Sequence, residues 1–140
     1  QLHGHESPEQ VASIRSRLRF VVKAFAAGSP ELQHVDDYQV DAIMLDGANP
    51  GSGEVFDWTL AESIPDNHRL ILAGGLTPGN VGAAVRQVRP WGVDVSSGVE
   101  RTPGRKDGPL VRRFVASARA AEPEPQHAEG ALPYDWRDDG

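Results

Sequence analysis

The chain has 140 residues, 39% of them apolar, a formal charge of −6 and no cysteine. These values predict one ordinary hydrophobic core and exclude disulfides, thiolate metal sites and cysteine nucleophiles from this sequence. The scarcity of clustered Lys and Arg argues against nucleic-acid binding. No apolar run approaches the roughly 20 residues of a membrane span, so we expect a cytoplasmic protein without a membrane partner.

The first half of the sequence alternates helix signals with short apolar runs. The opening Gln1-Leu2-His3-Gly4 resembles the end of a strand already under way, which indicates a truncated chain. Ser7, followed by Pro8 and by Gln10, has the pattern of a capping box. The predicted elements are a helix from Ser7 with Val11, Ile14 and Leu18 on one face, a strand over Phe20–Ala26, a short helix from Ser29, and a strand over Asp41–Leu45 ending at Asp46.

The second half continues the same alternation. Its predicted elements are a helical turn capped by Asp57, a strand over Arg69–Ala73, a helix capped by Thr77-Pro78, a strand over Gly92–Val95 and a helix opened by Asp107. The last helix has an apolar stripe of Leu110, Val111, Phe114 and Ala118. Residues 121–140 are acidic, contain proline and show no periodicity, so we expect residues 1–120 to form the folded domain and 121–140 a disordered tail.

Strands separated by helices of about 10 residues predict right-handed crossovers and a parallel α/β sheet. Spacing alone leaves both a doubly wound sheet and a (βα)8 barrel open. Glycine turns follow two consecutive strands, at Gly74-Gly75 and at Ser97-Gly98. In barrels the last two loops commonly form a phosphate cup, so the order of these turns favours the barrel.

The two glycine turns are also the best candidates for a binding site. Backbone N–H groups at Gly74, Gly75, Ser97 and Gly98 can point at an anion because few Cβ atoms stand in the way. One isolated glycine pair is equally well explained as a tight turn. Two such pairs at adjacent strand ends favour a phosphorylated small molecule as the ligand.

Three further residues lie at predicted strand ends. Asp46 closes an apolar strand at the position where barrel enzymes place catalytic groups, although a carboxylate there can also cap the following turn. Asp94 alternates with Val93 and Val95 and therefore faces the barrel lumen if the valines pack on helices, a buried structural pair being the alternative. His3 has no visible partner and is more often structural in such a setting.

Other sequence features bear on the mechanism. The loop Pro50-Gly51-Ser52-Gly53 follows the Asp46 strand and has the length of a lid that excludes water, or of a simple mobile connection. No cluster of His, Asp and Glu has metal-ligand spacing, so the sequence predicts no metal site.

In their order and spacing along the chain, several short segments resemble phosphoribosylanthranilate isomerase, an enzyme of tryptophan biosynthesis. The resemblance extends over about 120 residues. The resemblance implies strands four to eight of a (βα)8 TIM barrel, that is, the C-terminal five βα units. The segments that carry it are Gln1–Gly4, Lys23-Ala24, Met44–Asp46, Gly51–Gly53, Phe56–Trp58, Ala73–Val81, Val93–Glu100 and Lys106-Asp107.

The resemblance implies particular roles. The family converts N-(5-phosphoribosyl)anthranilate to 1-(o-carboxyphenylamino)-1-deoxyribulose 5-phosphate by an Amadori rearrangement without a cofactor. Asp46 would be the general acid, the glycine turns would hold the phosphate, and His3 and Asp94 would line the pocket. The family's general base is a cysteine on strand one, which this chain lacks. We therefore expect an isomerase that is truncated at its amino end and inactive alone.

Two alternatives remain open from the sequence. The first is a noncatalytic phosphate-binding half-barrel that needs a complementary barrel fragment or forms a homo-oligomer. The second is a related phosphate-binding barrel enzyme such as indole-glycerol-phosphate synthase, which uses a catalytic lysine and glutamate. Lys23 is the only comparable cation for that second alternative.

Overall fold

The computed structural model describes residues 1–47 and 57–122. In these ranges β1 (Val22–Ala26), β2 (Ala42–Asp46), β3 (Leu70–Leu72) and β4 (Gly92–Val93) form one parallel sheet. The strands lie in chain order, so each new strand is added at the same edge. In a doubly wound sheet the order of the strands reverses at a switch point, whereas in a barrel each strand lies beside the one that precedes it in the chain. The predicted α/β class and parallel sheet are confirmed, and the strand order favours the barrel topology.

The predicted strand end at Gln1–Gly4 is reduced to one parallel bridge, between Leu2 and Lys23. The Leu2 amide donates to the Val22 carbonyl at 2.9 Å, and the Ala24 amide donates to the Leu2 carbonyl at 2.8 Å. This bridge directs the residues after Leu2 toward the carboxyl end of β1. It places His3 at the same edge of the sheet as Asp46.

Helices connect the strands. The α-helices are α1 (Pro8–Arg15), α2 (Val81–Val88) and α3 (Gly108–Ala121), and 3-10 helices cover Pro30–Asp37, Trp58–Ser63 and Ser97–Val99. An antiparallel hairpin of β5 (Glu100–Thr102) and β6 (Arg105–Lys106) precedes α3. No helix in the described ranges is long and apolar enough to cross a membrane.

The helix caps predicted at Ser7, Asp57 and Asp107 are confirmed. Ser7 forms a complete capping box with Gln10, each side chain accepting from the other residue's amide. Asp57 accepts from the Thr59 amide, and Asp107 accepts from the Leu110 amide, both at 3.0 Å. These caps satisfy amide groups that a helix cannot pair internally.

The prediction that Leu18 continues the apolar face of α1 is wrong. The helix ends at Arg15, and Leu18 is 55% exposed. The Ser16 hydroxyl donates to the Ser13 carbonyl at 2.7 Å. Such local side-chain bonds compete with a continuing helix.

The prediction that a helix starts directly after Thr77-Pro78 is wrong by a few residues. A turn of residues 78–80 comes first, and α2 begins at Val81. The Asn80 side chain accepts from the Thr77 amide at 2.7 Å and closes this turn. The predicted apolar face of α2 is confirmed, since Val81, Ala84 and Val85 are buried.

Two predictions about α3 also need correction. Val111 does not belong to the buried stripe of α3, since its side chain is 38% exposed. The stripe is formed by Phe114 and Ala121, with Leu110 packed beside them. The sequence predicts Ala121 to lie in the disordered tail, but it is the last residue of α3 and is buried. It packs in the same apolar cluster as Phe114. Residues 123–140 of the predicted tail lie outside the described ranges.

The two faces of the sheet are packed differently. Phe25, Ile43 and Leu45 face the helices and pack with residues such as Val11 and Leu32. The alternate positions form a separate small cluster of strand residues, with Ala24, Met44 and Ala73 buried and Val22 and Ile71 beside them. Because side chains alternate along a strand, Asp46 lies on this second face, beyond Met44.

Asp41 ties α1 to the start of the sheet. Its Oδ2 atom accepts from Arg15 at 2.6 Å and from the Val21 amide at 2.8 Å. Burial raises the pKa of Asp41, but the bonds from Arg15 and Val21 outweigh burial and leave this pKa below its ordinary value. The ionised carboxylate therefore stabilises the folded chain above about pH 4, and this contribution is lost as the pH falls through the lowered pKa.

We expect Asp41→Asn to lower the free energy of unfolding by about 1–3 kcal/mol at pH 7, the usual worth of hydrogen bonds to a charged group. The difference from the unsubstituted chain should shrink as the pH falls from about 4 through the lowered pKa of Asp41, because below that pKa both chains carry a neutral side chain at this position. Urea unfolding at several pH values measures both effects. Asp37→Asn, at a side chain that is 65% exposed, is the matched control. Equal losses in the two variants would contradict the assignment.

Candidate functional site

Asp46 is held at the carboxyl edge of the sheet as the last residue of β2. Its Oδ1 atom accepts from the Gly47 amide at 2.8 Å, and its carbonyl accepts from the Ala27 amide at 2.7 Å. The side chain is only partly buried. These contacts fix the carboxylate while leaving it accessible, as a proton donor to a ligand requires.

Asp46 contributes to two cavities. The larger has a volume of about 470 Å³ and lies between the His3–Pro8 segment and the end of β1. The smaller, about 70 Å³, lies between the loops that follow β3 and β4. Asp46 is the residue that the two cavities share. A ligand that occupied both would place an atom near this carboxylate.

The smaller cavity is built from the two predicted glycine turns. Gly74 and Gly75 have φ values of +80° and +65°, the left-handed region that favours glycine. A Cβ atom on Gly74 would lie 2.3 Å from the Gly47 nitrogen, so a side chain there is excluded. Ser97 and Gly98 line the opposite wall. The structure therefore brings the four residues predicted to hold an anion into one cavity.

Asn80 supports this cavity and was not predicted as a site residue. Its amide nitrogen donates to the Gly75 carbonyl at 2.9 Å, while its oxygen accepts from the Thr77 amide. The side chain thus holds the backbone that follows Gly74 and Gly75. The sequence signal was an asparagine three residues after Thr77, a spacing at which asparagine commonly bonds local backbone.

Asp94 also lines the smaller cavity. Val93 and Val95 pack against the apolar cluster of α2 and α3, so the alternation predicted for this segment is confirmed. Asp94 is exposed, which argues against the alternative of a buried structural pair. Its amide donates to the Leu72 carbonyl at 2.9 Å and extends the sheet beyond β4.

His3 lines the larger cavity beside Asp46 and is exposed. The residues around it include a buried lysine that was not predicted to belong to this site. Lys23 is 3% exposed, and its Nζ atom donates to the carbonyls of Gly4 and Ala24 at 2.9 Å and 2.8 Å. Lys23 thereby ties the segment that carries His3 to β1.

Glu6 completes the environment of Lys23, with 3.2 Å between the Glu6 Oε2 and Lys23 Nζ atoms. Burial raises the pKa of Glu6, but hydrogen bonds from backbone amides and from Lys23 outweigh burial and lower it. A lysine in an apolar strand is rarely buried without a partner, and this was the available signal. The sequence did not indicate that Glu6 is that partner.

The predicted lid loop Pro50-Gly51-Ser52-Gly53 lies outside the described residues. The candidate site consists of Asp46, the His3–Glu6 segment that Lys23 holds, and the two glycine turns. Its chemistry is a carboxylate between the small cavity of the glycine turns and a larger cavity with a histidine in its wall. Such an arrangement suits a phosphorylated substrate that receives a proton from an acid.

Comparison with known proteins places this chain in a family. A family model described as N-(5'phosphoribosyl)anthranilate (PRA) isomerase matches residues 1–117. The chain belongs to this family. The phosphoribosylanthranilate isomerase match includes every predicted site residue, from His3 to Gly98. The family resemblance inferred from the sequence is therefore confirmed.

Individual isomerases also match this chain. The N-(5'-phosphoribosyl)anthranilate isomerase of Geobacter sp. (strain M21) is 51% identical over 124 residues, covering 85% of this chain and 59% of the relative. The Thermus thermophilus phosphoribosyl anthranilate isomerase crystal structure has a TM-score of 0.73 at 38% identity, covering 86% of this chain and 60% of that one.

A second isomerase structure is a complex with a ligand, reduced 1-(o-carboxyphenylamino)-1-deoxyribulose 5-phosphate. It matches with a TM-score of 0.69 at 34% identity, covering 86% of this chain and 58% of that one. The present chain thus spans about three fifths of the length of the isomerases that it matches.

Proposed function

We propose that this chain forms strands four to eight of a phosphoribosylanthranilate isomerase barrel and supplies its general acid and its phosphate cup. The observation that carries the proposal is the position of Asp46, between the cavity of the glycine turns and the larger cavity beside His3. The bound phosphate ester in a solved relative supports the same reading.

In the proposed reaction the phosphate of N-(5-phosphoribosyl)anthranilate binds at Gly74, Gly75, Ser97 and Gly98. Asp46 protonates the ring oxygen of the ribose as the bond from this oxygen to C1 breaks. A general base then removes the C2 proton, which yields the aminodeoxyketose after tautomerisation. Backbone amides in the cup bind the dianion without a metal or cofactor.

The general base is the part of this proposal that the chain does not provide. The family's base is a cysteine on strand one, and this sequence contains none. We therefore propose that the 140 residues alone do not turn over substrate. Strands one to three would also supply the remaining wall of the barrel, because a five-stranded arrangement leaves edges that cannot close.

The experiment is isomerase turnover, followed by the loss of anthranilate fluorescence. The chain alone is compared with the chain combined with strands one to three from the Geobacter relative, either fused or as a separate fragment. Turnover in the combined protein and none in the chain alone is the expected result. Turnover by the chain alone would show that the cysteine is not required, and no turnover in either would contradict the isomerase proposal.

The second candidate is a noncatalytic half-barrel that binds phosphate and assembles with a complementary fragment or a second copy. The sheet face with Val22 and Ile71 only partly buried favours this candidate, since such a face gains from a further layer. Sedimentation velocity of the chain alone tests whether it assembles with a second copy. The cytoplasmic location stays a prediction.

The indole-glycerol-phosphate synthase alternative is disfavoured by the environment of Lys23. Its amine already donates to two carbonyls and pairs with Glu6, and its side chain is on the helix side of β1 with Phe25. A catalytic lysine needs an amine that can reach the substrate. Lys23 instead fixes the loop that carries His3.

A further inference from the structure

The hairpin of β5 and β6 comes directly after the second glycine turn and contacts it through one side chain. Lys106 donates from Nζ to the Ser96 carbonyl at 2.8 Å and to Glu100 Oε1 at 2.9 Å. Glu100 is directly opposite Lys106 in the hairpin, and its second oxygen accepts from the Gly104 amide at 3.1 Å. The hairpin therefore holds its own lysine in place against the Ser96 carbonyl.

The Ser96 carbonyl matters because it shares a peptide unit with the Ser97 amide. In a trans peptide the C=O and N–H bonds point in opposite directions. A lysine that holds the carbonyl on one side consequently turns the Ser97 N–H toward the other. Ser96 has φ −113° and ψ −88°, which is neither helical nor extended, so no regular element sets this orientation.

Charge supports the same arrangement. The bond from Lys106, together with the Gly104 amide, lowers the pKa of Glu100, so this carboxylate stays ionised and keeps its hold on the lysine. The Glu100 side chain is 15% exposed and that of Lys106 is 49% exposed. Glu100 is therefore the more buried partner of the pair, with the Gly104 amide against its second oxygen.

We propose that Lys106 is a positioning residue for the phosphate site: it fixes the Ser96–Ser97 peptide so that the Ser97 amide faces the cavity of the glycine turns. This inference rests on the proposed function, since it takes the phosphate group of the substrate as the ligand of that cavity. The role belongs to Lys106 through the backbone, without contact between Lys106 and the substrate.

The neighbouring residue provides a matched control. Arg105 is exposed, lies on the same short strand and points to the opposite side of the hairpin. Lys106→Met and Arg105→Met remove one positive charge from adjacent positions. Long-range attraction for an anion therefore falls similarly in both, while only the first loses the bond to Ser96.

The test is titration of the 15N-labelled 140-residue chain with inorganic phosphate at constant ionic strength, observed at the amides of Gly75, Ser97 and Gly98. We expect Lys106→Met to weaken phosphate binding about tenfold, roughly the loss of one hydrogen bond to a charged ligand. Arg105→Met should stay within about twofold, and Lys106→Arg, which retains donors, within about threefold. The thermal midpoint should be similar in all three variants.

The outcomes separate this inference from the proposed function. Phosphate binding that is unchanged in Lys106→Met, or weakened equally in Arg105→Met, overturns the positioning role and leaves the isomerase proposal intact. Absence of phosphate-dependent shifts in the unsubstituted chain overturns both the phosphate assignment and the role of Lys106. Faster hydrogen exchange at the Ser97 amide in Lys106→Met, but not in Arg105→Met, supports the inference that the bond from Lys106 to the Ser96 carbonyl fixes this peptide.

Discussion

Replacing Gly98 by alanine is expected to abolish phosphate binding and to lower the free energy of unfolding by about 3 kcal/mol, the upper end for overpacked sites. A Cβ atom on Gly98 would lie 1.8 Å from the Leu76 carbonyl oxygen and 3.2 Å from the Thr77 Cα atom. Both are backbone atoms, which cannot rotate away as a side chain does. The two glycine turns must therefore separate before alanine fits.

The control for this prediction is Gly79→Ala. A Cβ atom there would lie 3.7 Å from Thr77 Oγ1, which is an ordinary contact, and Gly79 does not have a positive φ. Urea unfolding and the same phosphate titration measure the two variants. If Gly98→Ala is as stable as Gly79→Ala and still binds phosphate, the close approach of the two turns is not needed for the site.

Local chemistry explains which parts of the fold were predictable from the sequence. The caps at Ser7, Asp57 and Asp107 depend on residues within three positions along the chain, so a sequence pattern contains the whole interaction. The errors at the end of α1 and at the start of α2 occurred where a second local bond competes. Ser16 ends α1 before Leu18, and Asn80 inserts a turn before α2.

The candidate site likewise has one part that the sequence predicts and one part that it does not. Asp46 and the glycine turns were predictable because parallel strands bring their carboxyl ends to one edge. The bonds of Lys23 to Gly4 and of Lys106 to Ser96 were not, because they join residues that are 19 and 10 positions apart. Such pairs depend on how the loops fold over the strand ends, which residue spacing does not encode.

Asp46→Asn is expected to lower isomerase turnover by about 10²–10⁴-fold in the chain combined with strands one to three, the usual range for loss of a general acid. Asparagine has nearly the same shape, and its oxygen can still accept from the Gly47 amide as Asp46 Oδ1 does at 2.8 Å. What it cannot do is give a proton to the ring oxygen of the ribose. The Michaelis constant should therefore change little while turnover falls.

Asp66→Asn is the matched control for this variant, because it makes the same change at an exposed residue near the amino end of β3, away from both cavities that contain Asp46. Phosphate titration of Asp46→Asn should resemble that of the unsubstituted chain, since the glycine turns are unaltered. That result would separate loss of the acid from loss of the site. Turnover within tenfold of the unsubstituted protein would exclude Asp46 as the acid and would direct attention to Asp94, the other carboxylate that lines the smaller cavity.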